Sequence, residues 1–449
     1  MAAFSSTRRK ESKASADPGL NSILDSGARV GVIFGKAWTL HVERILKTTR
    51  EENLSIIRDS VDYLRDHGLE VIFDAEHFYQ GFSDDPEYAL AAIAAAEEAG
   101  SRTVVLCDTN GGTPPYEILK ATKAAVSSSN AMVGLHMHND IGCAVANTLL
   151  GVSAGARHVQ GTINGIGERT GNADLVQLLP SLCLKSGLAF RAAQNIGKLR
   201  EISLLAYEIS GMQPDKSQPY VGDNAFAHKA GVHADAVLKT PSAYEHITPE
   251  SVGNSRRIIL SEVSGSGSLL HYAEKLGISA EKSDPRVKAA LAEIKTLEAL
   301  GYSFDIAPAS AVLVIAEKLG IPCKKIRLAY WRVVSEGSLT IAVVKTPTCM
   351  ETAEGDGPVN AIDLAMRKAF SREYPELSKI ELTDYRVVLP GSVRSTESTV
   401  RVATELSDGS LRWRTMGISA NIIDASVKGI LDGLNYYILL NERGQKPPY

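Results

Sequence analysis

Short apolar runs recur along the first part of this chain, at residues 2–4, 29–34, 70–74, 103–107, 132–136 and 158–162, with amphipathic stretches such as 52–64 and 86–98 between them. The runs are continuously apolar, not alternating. That pattern predicts strands buried on both faces, hence a parallel sheet wrapped by helices. Polar residues with functional chemistry follow the runs at their C-terminal ends: Asp74, Glu76 and His77; Asp108, Thr109 and Asn110; His138, Asn139 and Asp140; Asn164 and Glu168. Both (β/α)8 barrels and doubly wound sheets place sites there. The number of separate strands that contribute favours the barrel. Six βα units are legible where a closed barrel has eight. The expected fold is therefore α/β, a (β/α)8 TIM barrel lacking its first two βα units, over residues 1–190.

Residues 191–325 read as a helical linker subdomain. Within it, residues 287–300 carry a helical pattern closed by Gly301 as the residue after the cap. From 326 to 449 the texture changes to alternating strands, at 327–335, 339–344, 379–389 and 398–404. Asn360-Ala-Ile-Asp363 and Asn421-Ile-Ile-Asp424 echo one another, each following strands and a glycine. Each is expected to open a helix with Asn as the N-cap and Asp at the third helical position. Two strand-strand-helix units then form an α+β domain. It has no cluster of His, Cys and carboxylates, so a regulatory or dimerising role is expected.

Length and composition add limits. The 449 residues suffice for two or three domains, and 44% hydrophobic with 22% charged residues is ordinary for a soluble globular protein. A net charge of −4 gives no reason to expect nucleic acid or an anionic membrane as partner. No apolar run approaches the ~20 residues that cross a bilayer. Cys107, Cys143, Cys183, Cys323 and Cys349 are scattered, as in a reducing cytoplasm. The segment from Ser5 to Lys13 superficially suggests a transit peptide. It lacks an apolar helical face and carries Glu11, so it is assigned to the fold.

The most informative stretch is Gly134-Leu-His-Met-His-Asn-Asp140, followed by Gly165-Ile-Gly-Glu-Arg-Thr-Gly-Asn172. Side chains two apart on a strand share a face, with Cα atoms ~6.6 Å apart. His136 and His138 can thus aim two imidazoles at one point, a natural start for a metal site. The glycine-rich turn then presents Asn172, an oxygen donor. Glu168 and Arg169 are expected to form a buried ion pair that braces this turn.

Several further motifs stand in order: Phe4-Ser-Ser-Thr-Arg-Arg9, Gly35-Lys-Ala-Trp-Thr-Leu-His-Val42, Phe73-Asp-Ala-Glu-His-Phe-Tyr79 and Leu106-Cys-Asp-Thr-Asn-Gly-Gly112. Together the chain resembles, over essentially its whole length, the isopropylmalate, homocitrate and citramalate synthase family, and most the citramalate synthase branch. The resemblance implies an acyltransferase that condenses acetyl-CoA with pyruvate to give citramalate and CoA, on the route to isoleucine. It implies a divalent metal, Mg2+ or Mn2+ with Zn2+ as the alternative, held by His136, His138 and Asn172. Glu76 and Thr109 would hold the 2-oxo acid, with His136 beside it. His233 and Tyr244, in the helical subdomain, would approach the reacting centre with Glu76. His233 suits proton transfer because an imidazole titrates near working pH. His77, His158 and His228 read as structural, and Lys36 and Arg8 lie near strand ends where substrate contact competes with ion pairing. A homodimer is implied, with isoleucine as effector of the C-terminal domain, whose helix N-termini offer amides to an α-carboxylate.

The chain departs from the family at Gln80, where the branch usually has Asp, and at Ser264–Ser268, where an Arg is usual. The family's first-strand motif Asp-Thr-Thr-Leu-Arg-Asp-Gly, which carries a metal-binding Asp, has no counterpart, so the chain reads as N-terminally truncated. Three readings follow: a citramalate synthase; a 2-isopropylmalate synthase or a metal-dependent aldolase or lyase on the same barrel; and a catalytically inactive homologue that senses an amino acid.

Overall fold

The computed structural model describes residues 1–229, 231–260, 264–322, 325–389 and 399–444. Cys323 lies outside the described residues. The chain forms two compact units, residues 1–225 with 249–254, and residues 226–248 with 255–449.

The first unit alternates strand and helix. Its strands are β1 (Ala2–Ser6), β2 (Val30–Lys36), β3 (Glu70–Glu76), β4 (Thr103–Asp108), β5 (Met132–Met137) and β6 (His158–Gln160). They pair in that order in one six-stranded sheet, every pair parallel. The six barrel-type units expected from the sequence are thus present. Their helices are α1 (Pro18–Asp25), α2 (Arg50–Asp66), α3 (Phe78–Asp84), α4 (Pro86–Glu98), α5 (Pro115–Ser128), α6 (Ala144–Ser153), α7 (Leu175–Pro180) and α8 (Leu199–Ile209). All six residues of β4 are buried, which accounts for the continuous apolar run. Phe73, Val104, Leu106 and Leu135 are fully buried in the same core as Ile57, Val61 and Ile93 from α2 and α4.

Local chemistry sets the helix starts. The Asp17 carboxylate accepts from the amides of Gly19 and Leu20 ahead of α1, and Asp85 from Tyr88 ahead of α4. In both, proline follows the cap, where its missing N–H costs no helical bond. Helix α3 starts abruptly from β3 through His77, whose φ of 60° lies in the left-handed region.

The second unit begins with a two-residue pairing of β7 (Ala227–His228) with β8 (Arg257–Ile258) and the helices α9 (Gly231–Lys239), α10 (Ser266–Lys275), α11 (Pro285–Ala299) and α12 (Pro308–Lys318). Gly301, at φ 110°, ends the α11 segment as the spacing predicted. Next come β9 (Tyr330–Glu336), β10 (Leu339–Lys345), β11 (Met350–Gly355) and α13 (Pro358–Phe370). The same order repeats as β12 (Glu381–Val388), β13 (Val400–Ser407), β14 (Arg412–Ser419) and α14 (Ile422–Arg443). Each half is an antiparallel three-stranded sheet with its helix.

The duplication is therefore real, but each repeat holds three strands and not two. Strand β11 reads Met-Glu-Thr-Ala-Glu-Gly and β14 places Arg412 and Arg414 between apolar residues, so neither forms an apolar run. The caps also differ from expectation. Asn421 accepts from the amides of Ile423 and Asp424 as predicted. Helix α13 instead starts at Pro358, two residues before Asn360, with Gly357 as cap, and the Asn360 Oδ1 accepts from the Asp356 amide at 3.2 Å.

Gly81 in α3 lies so close to the end of β2 that an added Cβ would sit 2.2 Å from the Ala37 carbonyl oxygen. Gly81→Ala should lower the denaturation midpoint of the protein, at a cost of ~1–3 kcal/mol typical of overpacking. An unchanged midpoint in urea would show that α3 shifts freely.

Candidate active site

Parallel pairing brings the strand ends of the first unit to one rim, and the site is built from the residues there. On β5, His136 lies level with Gln160 of β6. The His136 Nδ1 and Gln160 Oε1 are 2.7 Å apart, and the Gln160 amide donates to Asp74 Oδ1 at 2.9 Å. With Nδ1–H donated to Gln160, the Nε2 of His136 carries the lone pair, and the Asn172 Nδ2 amide donates to it at 3.1 Å. Asn172 also forms an isolated antiparallel bridge with His138, and the rings of His136 and His138 are 5.2 Å apart. The structure thus brings His136, His138 and Asn172 together.

Glycine makes this approach feasible. A Cβ on Gly167 would stand 1.9 Å from the Asn172 Oδ1, and one on Gly171, at φ 96°, 2.0 Å from the Gly165 carbonyl oxygen. The turn closes on itself, and a side chain at either position would push Asn172 away from His136.

Asp74 is 4% exposed, and burial pushes its carboxyl up to about 6, although His136 and Gln160 oppose the shift. His138 is lowered, first by burial and then by the neighbouring His136 and Arg169. Its Nδ1 is a buried atom without a hydrogen-bond partner. Such an atom beside an imidazole lone pair and a carboxamide is a donor set that suits a divalent cation of intermediate hardness. Among the described residues no group of three or more His, Cys, Asp or Glu offers a metal site.

One strand over, Glu76 at the end of β3 is in register with Lys36 of β2, and the two form an ion pair. The next residue, His77, donates its backbone N–H to the Thr109 hydroxyl at 2.9 Å, which fixes Thr109 at the end of β4. The imidazole of His77 packs at a tilt against His41, with ring centroids 4.0 Å apart, and against Trp38 at 5.6 Å. Beneath them Asp108, fully buried, accepts from Gln80 at 2.7 Å and from the Thr113 hydroxyl at 2.8 Å. Gln80 thus serves as a neutral donor to a buried carboxylate.

Arg169 does not form the buried pair with Glu168 expected of it. Glu168 is 77% exposed, and the Arg169 guanidinium grips both oxygens of Asp140 at 2.7 and 2.9 Å while donating to the Thr109 carbonyl. The turn is braced across to the end of β5, where the left-handed φ of 56° at Arg169 aims the side chain. Arg8 is also structural, with its guanidinium on Asp59, Glu52 and three loop carbonyls.

In the second unit His233 and Tyr244 stack with ring centroids 4.3 Å apart. The adjacent Glu245 is clamped by both Arg256 nitrogens at 2.6 Å and by His228 at 3.2 Å. These bonds hold its carboxyl below the usual range even though burial opposes them.

Gln160 and Asp74 escaped the sequence reading as partners of His136. A glutamine inside a short strand carries no motif, and an aspartate at a strand end reads as one of many.

Residues 7–205 match the HMGL-like family, 220–301 the homocitrate synthase post-HMGL domain-like family, and 286–438 the LeuA allosteric (dimerisation) domain. The chain is 57% identical over 439 residues to an (R)-citramalate synthase of Sulfolobus acidocaldarius, covering 98% of this chain and 84% of that protein. It is 44% identical over 453 residues to an (R)-citramalate synthase of Aquifex aeolicus, covering 98% and 86%. Among solved structures the HMG-CoA lyase of Bacillus subtilis aligns with a TM-score of 0.40 and 20% identity, over 47% of this chain and 70% of that one.

The buried His77 generates a pH effect. Burial first, then His41 and Lys36, pulls its imidazole down to about 4 from an ordinary 6.5. The unfolded chain therefore takes up this proton at higher pH than the folded one. Stability is lost as pH falls from about 6.5 to about 4, and the loss levels off below. His77→Asn, which tolerates a left-handed backbone, should shrink the difference between urea midpoints measured at pH 7 and pH 5. Equal differences in both proteins would place the acid sensitivity elsewhere.

Proposed function

Because this chain belongs to the citramalate synthase branch of the isopropylmalate, homocitrate and citramalate synthase family, we propose that it condenses acetyl-CoA with pyruvate to give citramalate and CoA. The observation that carries the reading is the convergence of His136, His138 and Asn172 at the rim where Glu76 and Thr109 also end their strands.

The His136 Nε2, a ring nitrogen of His138 and the Asn172 carboxamide would hold a divalent ion, Mg2+ or Mn2+ with Zn2+ as the alternative. Bound there, the ion supplies Lewis acidity to the keto oxygen and carboxylate of the oxo acid. The chain's own residues do the rest. Gln160, braced by Asp74, keeps the His136 ring in one tautomer and orientation. The Thr109 hydroxyl, held by the His77 amide, binds the pyruvate carboxylate, and Glu76 lines the same side of the pocket. A general base takes the acetyl methyl proton. The carbon freed of that proton attacks the keto carbon, and water then cleaves the thioester, which makes the condensation irreversible.

The LeuA dimerisation match over 286–438 supports a homodimer, and isoleucine is the effector this reading implies. No described helix is long and apolar enough to cross a membrane. The described cysteines, Cys107, Cys143, Cys183 and Cys349, are free thiols, which suits the cytoplasm we assign to the protein.

Incubation of the full chain with acetyl-CoA, pyruvate and Mg2+ or Mn2+ should release CoA and form citramalate. Product from 2-oxoisovalerate alone would favour the isopropylmalate reading, and no thiol release with any oxo acid would leave the inactive homologue. Gln160→Leu, which removes the support of His136, should weaken metal binding by 10–100-fold. Unchanged affinity by calorimetry would defeat the metal assignment.

Isoleucine at 100 times its dissociation constant should stabilise the full chain by ~2.7 kcal/mol. A flat melting temperature across millimolar isoleucine, leucine and valine would remove the effector.

A further inference from the structure

The motif Gly35-Lys-Ala-Trp-Thr-Leu-His-Val42 is not used by the reaction as described so far, yet it delivers three side chains to the same rim. Lys36 ends β2 beside Glu76, and their side chains are 17% and 22% exposed. The rings of Trp38 and His41 stack at 5.3 Å, and His41 packs in turn against His77. Asn53 fixes the strand end by donating to the Lys36 carbonyl at 2.9 Å, and it also holds the Tyr88 hydroxyl at 2.8 Å. The ammonium itself pairs with Glu76 and lies over the Phe34 ring, 5.8 Å from its centroid.

An ammonium has three N–H donors. Among the described residues Glu76 is the one hydrogen-bond acceptor given for Lys36 Nζ. Two donors of a largely buried cation have no protein partner, so they are available to a ligand.

The order of strands indicates which ligand. Strands in a sheet are ~4.8 Å apart. Thr109 follows β4, two strands from Lys36 or about 10 Å along the sheet, and His136 on β5 is about 14 Å away. An oxo acid held between Thr109 and His136 leaves the β2 end of the rim to the second substrate. Charge points the same way. A cation that already shares its charge with a carboxylate is not needed by a pyruvate held two strands away. It suits a neutral carbonyl whose oxygen becomes anionic only as the reaction proceeds.

Resting on the function proposed above, we propose that Lys36 is a further catalytic residue, which hydrogen-bonds the thioester carbonyl oxygen of acetyl-CoA and stabilises the enolate formed from it. The base takes one methyl proton. The C–H electron pair becomes the new C=C bond, and the carbonyl π pair moves onto the oxygen that faces Lys36. On attack the C=C pair forms the bond to the keto carbon and the thioester carbonyl reforms, so Lys36 keeps its own protons throughout. The Lys36 and Glu76 side chains are largely buried, which strengthens the pull of the ammonium on the developing charge.

The test uses the full chain and two variants. Lys36→Met should lower kcat about 100-fold, as loss of an oxyanion donor does, with KM for pyruvate within about twofold of its original value. Lys36→Arg should recover part of the loss. Carboxymethyl-CoA, whose carboxylate mimics the enolate oxygen, should bind the unaltered protein more tightly than CoA does, and Lys36→Met should erase that preference. A deficit confined to KM for pyruvate would reassign Lys36 to the oxo acid, and unchanged kcat with an intact preference would overturn the proposal. Failure of the unaltered protein to form citramalate would count against the function itself. The carboxymethyl-CoA comparison still decides the role of Lys36 in that case, because it needs no turnover.

Discussion

Parallel pairing ends every strand of the six-stranded sheet at one rim, and the register of those pairs decides which side chains meet there. Lys36 stands opposite Glu76, Cys107 opposite His136, and His136 opposite Gln160. A slip of one residue would turn each of these side chains to the other face. The buried faces of β3 and β4 forbid such a slip, because Phe73, Val104 and Leu106 would lose their places in the core. Apolar packing thus fixes the polar geometry.

The polar layer works under tighter constraints than the core beneath it. Asp74 and Asp108 are nearly or fully buried carboxylates, and a buried charge without partners is costly. Each is answered by a neutral amide: Gln160 for Asp74 and Gln80 for Asp108. Neutral partners satisfy the carboxylates without forming buried ion pairs, and they pass orientation onward. Gln160 carries it from Asp74 to His136, and Thr113 ties Asp108 to the loop after β4. The cations Lys36 and Arg169 are kept for Glu76 and Asp140 at the edge of the site.

The strands of the first unit could be read from the sequence because each is a continuous apolar run, and the His136–His138 pair because a two-residue period puts both on one face. Asn172 was legible through its glycines, whose need becomes clear in the contact distances at Gly167 and Gly171. What was not legible depends on pairing across distant segments. Gln160 reaches Asp74 across 86 residues, and Arg169 bonds Asp140 at 2.7 Å while its pair with the exposed Glu168 stays at 3.6 Å, because the turn folds back onto β5. Strands β11 and β14 were missed for another reason. In β11 a glutamate, Glu351, stands on the buried face, and in β14 Arg412 and Arg414 flank the buried Trp413, so the apolar signal that marks a strand is interrupted.

The two repeats of the second unit show how far a sequence echo can be trusted. Asn360 and Asn421 begin similar phrases and face helices of the same architecture, yet they perform different tasks. Asn421 satisfies the amides of Ile423 and Asp424. Before α13, Pro358 removes one of the donors that a cap would serve, so the helix starts earlier and Asn360 turns back to the Asp356 amide. The repeats are alike in their packing and unlike at their helix N-termini. An effector carboxylate that sought backbone amides at α14 would have to displace Asn421, at a cost of ~1 kcal/mol for the lost cap. The duplicated phrase alone therefore supplies no ready pair of donors at α14.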